Sequence, residues 1–144
     1  YPDLDDERRI FADTTSGVER TVSHVATGPE LEAARLLVRS LPAASNVVDY
    51  ALRLVRATRP GDASCPPSVK QWVRWGVGPR AGQALLLGAK ASAMLDGRTV
   101  PSPDDVTRVA LPVLRHRLLV NFRAEADGIS ADQVIGTLLA SVRP

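Results

Sequence analysis

Apolar positions recur at three- and four-residue spacing along most of this chain, and the breaks in that period fall at prolines and glycines. Leu31, Ala34, Leu37, Val38 and Leu41 make one such stripe. Thr27 or Gly28 is its predicted cap, Pro29 its first position, and Pro42 its stop. Ser45 is read as the cap of a second long helix in which Val47, Val48, Ala51, Leu52, Leu54 and Val55 form a broad apolar face. Arg53, Arg56 and Arg59 lie on or beside its polar side, and Pro60-Gly61 ends it. A short helix is predicted from Val69 to Trp75, with Trp72 and Trp75 three apart on one face as core anchors. Pro79 opens a third long helix to about Leu95, stopped by Asp96-Gly97, with a small-residue face of Ala81, Ala84, Leu85, Gly88, Ala89 and Ser92.

Ser102-Pro103-Asp104-Asp105 has the order of a helix start: a cap, a proline at the first position, and carboxylates at the positive end of the dipole. Val106, Val109 and Ala110 follow inward, and Pro112 starts or kinks the next turn. Ser130 caps a last helix through Val134, Ile135, Leu138 and Leu139. At the other end, Asp5, Asp6 and Glu7 suit the first turn of a helix carrying Ile10 and Phe11. No period holds over residues 14–27 or 60–70, which are read as irregular connectors, although Thr21 to Val25 could be extended. These elements predict an all-α bundle of five to six helices without strand pairing. No internal period marks a repeat array.

With 144 residues, the chain suits one domain, and 44% hydrophobic against 24% charged residues is the balance of a folding protein. No run approaches the ~18 uncharged residues of a membrane helix. No initiator Met precedes Tyr1, so a piece of something longer is expected, and the single cysteine fits a reducing cytoplasm. A lone Cys65, in a loop-like Gly-Asp-Ala-Ser-Cys-Pro-Pro stretch, allows no internal disulfide and is read as an inert thiol. The net charge of +2 is a narrow excess rather than a basic block.

Several chemistries lack their parts. There is no G-x-x-x-x-G-K-[ST] phosphate loop, so the chain does not hydrolyse ATP by itself. There is no H-E-x-x-H and no second cysteine, so no metal site is expected. Trp75-Gly76-Val77-Gly78-Pro79-Arg80-Ala81 does carry chemistry, because it sets a guanidinium in the first turn of a helix behind two glycines and a proline. First-turn amides lack intrahelical acceptors and the dipole adds positive potential, so Gly78, Pro79 and Arg80 are a candidate phosphate site. An ordinary helix start with Arg80 pointing into water is the plain alternative.

Gly76-Val77-Gly78-Pro79-Arg80-Ala81 followed by Leu85-Leu86-Leu87-Gly88-Ala89-Lys90-Ala91 resembles the sensor 2 segment of MoxR-type AAA+ ATPases. The likeness continues through Asp96-Gly97-Arg98, Ser102-Pro103-Asp104-Asp105-Val106 and Leu111-Pro112-Val113-Leu114-Arg115-His116-Arg117-Leu118. Tyr1-Pro2 resembles the junction with the family's α/β core, and Leu52 to Arg59 the second helix of its lid. Val77-Gly78 stands where the family more often has Ala-Ser, which removes a side-chain cap at a cost of a few tenths of a kcal/mol.

The resemblance implies that residues 1–144 are the C-terminal lid of such an ATPase, acting with an α/β core upstream. It implies ATP with Mg2+ bound by the whole protein, Arg80 as the sensor of the γ-phosphate, and a homo-oligomeric ring, usually a hexamer. Chaperone-like remodelling, metalloprotein maturation and von Willebrand A-domain partners are further implications. Arg115, His116 and Arg117 form a second candidate, facing nucleotide, a neighbouring subunit or a partner, or else a solvated helix edge. Two other readings stand beside this one: a nucleic-acid-binding module using Arg53, Arg56 and Arg59, and a helical adaptor with no nucleotide role. The intervening Asp49, Glu30 and Glu32 dilute any basic face, so nucleic acid is not expected as a partner.

Overall fold

The computed structural model describes residues 1–17 and 21–144, and the chain divides into two units, Tyr1–Glu32 and Ala33–Pro144. In the first unit, helix α1 (Leu4–Thr15) starts where the Asp3 carboxylate accepts the amide of Asp6 at 2.8 Å. Asp5, Asp6 and Glu7 fill its first turn, as expected at the positive end of the dipole. Helix α2 (Gly28–Ser40) is capped by Thr27, whose amide and hydroxyl donate to the Glu30 carboxylate at 2.7 and 2.8 Å and lower its pKa. Neither helix buries a residue. Residues 21–27 form no strand and are exposed, His24 among them. The part of the predicted 14–27 connector that falls on residues 18–20 lies outside the described residues.

The second unit is built on four helices: α3 (Ser45–Ala57), α5 (Pro79–Leu95), α6 (Pro103–Leu114) and α8 (Ala131–Ser141). Between them lie the short helices α4 (Pro67–Lys70) and α7 (Phe122–Ala126), giving eight helices among the described residues. The core gathers Tyr50 and Leu54 from α3, Leu85 from α5, Leu114 from α6, and Ile135 and Leu138 from α8, all essentially inaccessible to solvent. Cys65 joins this core, and burial pushes its thiol pKa up, away from the reactive thiolate.

The predicted small-residue face of α5 is the packing face: Ala81, Leu85, Ala89 and Ser92 are buried. It allows α6 to come so close that a Cβ on Gly88 would sit 3.2 Å from the Val109 side chain. The turn between these helices begins with left-handed Gly97 (φ 74°), with bonds from the Gly97 amide to the Met94 carbonyl at 3.0 Å and from the Arg98 amide to the Ala93 carbonyl at 2.8 Å. It ends on Ser102, whose amide and hydroxyl donate to the Asp105 carboxylate at 2.8 and 3.0 Å.

Three local expectations change. Ala44, not Ser45, is the N-cap of α3, and Ser45 is its first helical residue, so this helix starts without a side-chain cap bond. Helix α6 runs through Pro112 to Leu114. Most consequentially, the helix expected over Val69 to Trp75 stops at Lys70, and Val73–Trp75 forms a strand, β1, antiparallel to β2 (Leu119–Val120). Strand pairing therefore exists, and the tryptophans do not share a helical face. Val73 pairs with Val120 and Trp75 with Leu119, so two steps along β1 match one along β2. This bulge turns Trp75 outward to 65% exposure, while Val73 stays buried. Trp72 is half-buried, with the Arg123 guanidinium 5.5 Å from its ring centre.

Candidate functional site at the start of helix α5

The start of α5 is set by the backbone rather than by a side-chain cap. Gly78 is the N-cap in extended conformation (φ −89°, ψ −179°), and Pro79 occupies the first position, where its fixed φ and missing N–H do no harm. The Ala81 amide donates to the Gly78 carbonyl at 3.0 Å. Since Pro79 has no amide proton, the first turn offers an anion fewer free donors than its sequence suggests, chiefly the Arg80 amide. The site's capacity thus rests on the Arg80 guanidinium together with the helix dipole.

Gly78, Pro79 and Arg80 are all exposed, and Ala81 beyond them is buried in the core. The Arg80 side chain makes no hydrogen bond or ion pair among the described residues. Its neighbours do. The Arg53 guanidinium lies 5.8 Å from the Tyr50 ring centre and donates to the Arg143 carbonyl at 3.3 Å. Arg56 pairs with Asp62 at 2.9 Å, and Arg59 Nε donates to the Val77 carbonyl at 3.1 Å. The three arginines of the nucleic-acid reading are thus engaged within the fold.

The segment leading into α5 lies against the end of α3. The Val77 amide donates to the buried Thr58 hydroxyl at 2.9 Å, and that hydroxyl donates to the Val55 carbonyl at 2.7 Å. A Cβ on Gly76 would come within 2.5 Å of the Thr58 carbonyl oxygen, so only glycine allows this approach. Thr58 was not singled out by sequence reasoning, and Arg59 and Gly76 were noted only for other roles, a phosphate contact and a helix start, because the contacts among the three join positions about twenty apart. Beside Pro79, α3 and α5 enclose an open groove of about 320 Å³ with an apolar floor of Val48, Leu52, Val55 and Leu86. Arg56 and Arg59 also line it.

The second predicted cluster is divided. The Arg115 guanidinium makes a two-pronged pair with Asp132 (3.1 and 2.6 Å), joining the end of α6 to α8. Arg117 donates to the Val113 carbonyl at 2.7 Å and touches His116, and all three side chains are exposed. The polar network of the α5–α6 turn is more deeply built. Asp105 is 1% exposed and accepts from both guanidinium nitrogens of Arg98 (2.8 and 2.6 Å), from the Ser92 hydroxyl (3.1 Å), and from Ser102. Arg98 above all holds the Asp105 carboxyl well below the usual carboxylate range. Among the described residues no cluster of His, Cys, Asp or Glu could hold a metal ion, and no helix is long and apolar enough to cross a membrane.

Within this helical bundle, the family model for the AAA lid domain matches residues 68–138. Chaperone MoxR1 of Mycobacterium tuberculosis is 33% identical over 142 residues, 99% of this chain and 37% of that protein. Protein MoxR of Paracoccus denitrificans is 43% identical over 49 residues, 34% of this chain and 14% of that one. The crystal structure of a Cytophaga hutchinsonii protein described as an ATPase superposes with a TM-score of 0.82 at 27% identity, covering 99% of this chain and 44% of that one. This chain belongs to the MoxR-type AAA+ family, as a lid domain. It spans less than half the length of these relatives.

Proposed function

We propose that this lid works with an AAA+ core in the same polypeptide, and that Arg80 is its sensor 2 residue, meeting the γ-phosphate of ATP bound between core and lid. The observation that supports this reading is the free guanidinium of Arg80 in the first turn of α5, where it adds to the helix dipole, while Arg53, Arg56, Arg59, Arg98, Arg108 and Arg115 are engaged by other groups of the fold. Such a donor is matched to a phosphate oxygen. The residues present suit the anionic end of the nucleotide and not its Mg2+, for which this site has no carboxylate; the metal belongs with the core. The apolar groove beside Pro79 offers a surface of the kind a nucleobase covers.

In this reading ATP supplies the phosphoanhydride bond, and Arg80 contributes orientation and charge stabilisation at its terminal phosphate. Loss of the phosphate removes the partner of Arg80 and releases the lid to change its angle to the core. The whole protein is an ATP hydrolase assembling as a ring, a hexamer in the family pattern, in the cytoplasm. Its work is chaperone-like remodelling or metalloprotein maturation, with von Willebrand A-domain proteins as partners. His116 is then offered to a neighbouring subunit, whereas the Arg115 fork is already occupied by Asp132 and Arg117 donates to the Val113 carbonyl.

The test is ATP turnover by the whole protein carrying Arg80→Ala, with circular dichroism to confirm folding. Turnover falls at least about tenfold, equivalent to about 1.4 kcal/mol of lost transition-state stabilisation. Arg80→Lys recovers only part of it, since an ammonium lacks the planar fork. Wild-type turnover in a folded Arg80→Ala protein refutes the assignment.

A further inference from the structure

We propose that Thr58 and Arg59, at the C-terminal end of α3, are positioning residues for Arg80: they clamp Val77 and so fix where α5 begins. The proposal rests on the sensor reading of Arg80 given above. It starts from an unusual distribution of hydrogen bonds. Val77 lies in a connector, where backbone groups usually turn to water, yet both its polar groups are held by side chains of consecutive residues. Its amide donates to the Thr58 hydroxyl at 2.9 Å, and its carbonyl accepts from Arg59 Nε at 3.1 Å.

The Thr58 hydroxyl is itself oriented. It donates its proton to the Val55 carbonyl at 2.7 Å, which leaves its lone pairs facing the Val77 amide. Thr58 is 0% exposed and the Val77 side chain 2% exposed, so no water competes at this point. Gly76 completes the clamp, since its missing side chain lets the connector lie directly on the Thr58 and Arg59 backbone.

This arrangement matters because no side-chain cap sets the start of α5. Nor has the Arg80 side chain a partner of its own among the described residues. Between the clamp and Arg80 stand only Gly78 and Pro79, and proline holds φ near its single value. The position of the guanidinium is therefore inherited from Val77 on one side and buried Ala81 on the other. A shift of about 1 Å at a group that meets a reacting phosphate is enough to cost on the order of a hundredfold in rate.

The experiment is a double-mutant cycle on ATP turnover in the whole protein, pairing Thr58→Val and Arg59→Gln each with Arg80→Ala. Thr58→Val keeps the volume and removes the hydroxyl, and Thr58→Ser restores it. The expected result is a turnover loss of about tenfold in each single variant, recovery in Thr58→Ser, and no further loss when either change is added to Arg80→Ala. Residues that merely support the fold give losses that multiply, and that outcome overturns the proposal. Should Thr58→Val fail to fold, Arg59→Gln carries the test, because Arg59 is only half-buried. Wild-type rates in the folded Thr58 and Arg59 variants alongside an impaired Arg80→Ala overturn the positioning role alone. A wild-type rate in Arg80→Ala overturns the sensor reading and this proposal with it.

Discussion

At Gly76 the backbone of the connector approaches that of Thr58 and Arg59 so closely that a Cβ would stand 2.5 Å from one carbonyl oxygen and 2.7 Å from the Arg59 Cα. Neither obstacle is a flexible side-chain tip, so an alanine there must push the two segments apart. Gly76→Ala is expected to cost about 1–3 kcal/mol, the range for forcing extra volume into a packed site, read as a lowered midpoint in denaturant unfolding. Gly78, two residues on, has open space where its Cβ would lie. That contrast between two glycines of one motif is invisible in the sequence, where both look like helix punctuation. Arg80 was legible, because its relation to the helix start is purely local. Thr58 was not, because its value depends on a residue nineteen positions away that folding alone brings to it.

Among the elements, the α5–α6 hairpin was the most readable, since its caps, its proline positions and its small-residue face all agree about where each helix lies. Within it Gly88 packs against Val109, where a Cβ would sit 3.2 Å from the side chain. A leucine at 88 has no room to enter, so Gly88→Leu should destabilise the domain by about 2 kcal/mol, measured by chemical denaturation. Gly88→Ala should change stability by no more than about 1 kcal/mol, the better helix propensity opposing a tight contact with the stiff, branched Val109 side chain. The ribbon of β1 and β2 was misread for an equally physical reason. Its strands are three and two residues long and stand more than forty positions apart, so neither shows enough alternation to compete with a helical spacing of two tryptophans. Asn121 helps hold the ribbon in place, donating from its backbone and side-chain amides to the Trp72 and Gln71 carbonyls, both at 2.8 Å.

For the whole molecule, stability against acid is tied to Asp105. Its carboxyl titrates well below the ordinary value of 3.8 because the folded state surrounds the charged form with donors from Arg98, Ser92 and Ser102. A depressed folded pKa means that the contribution is complete above the unfolded value and is lost as pH falls below it toward the folded one. The thermal midpoint should hold from neutral pH down to about 4 and then decline. Asp105→Asn should be less stable at neutral pH by about 2 kcal/mol, having lost the partner of Arg98, and should show a shallower acid decline. The all-α architecture itself was plain from the spacing of apolar residues, whereas the ribbon and the clamp at Val77 required the folded chain. The bulge that turns Trp75 outward has one more consequence. The chain's two indoles now differ, Trp72 half-buried under a guanidinium and Trp75 65% exposed beside the connector to α5. A soluble quencher such as iodide will therefore extinguish one emitter before the other, giving this domain an intrinsic fluorescent reporter two residues from Val77 without any attached dye.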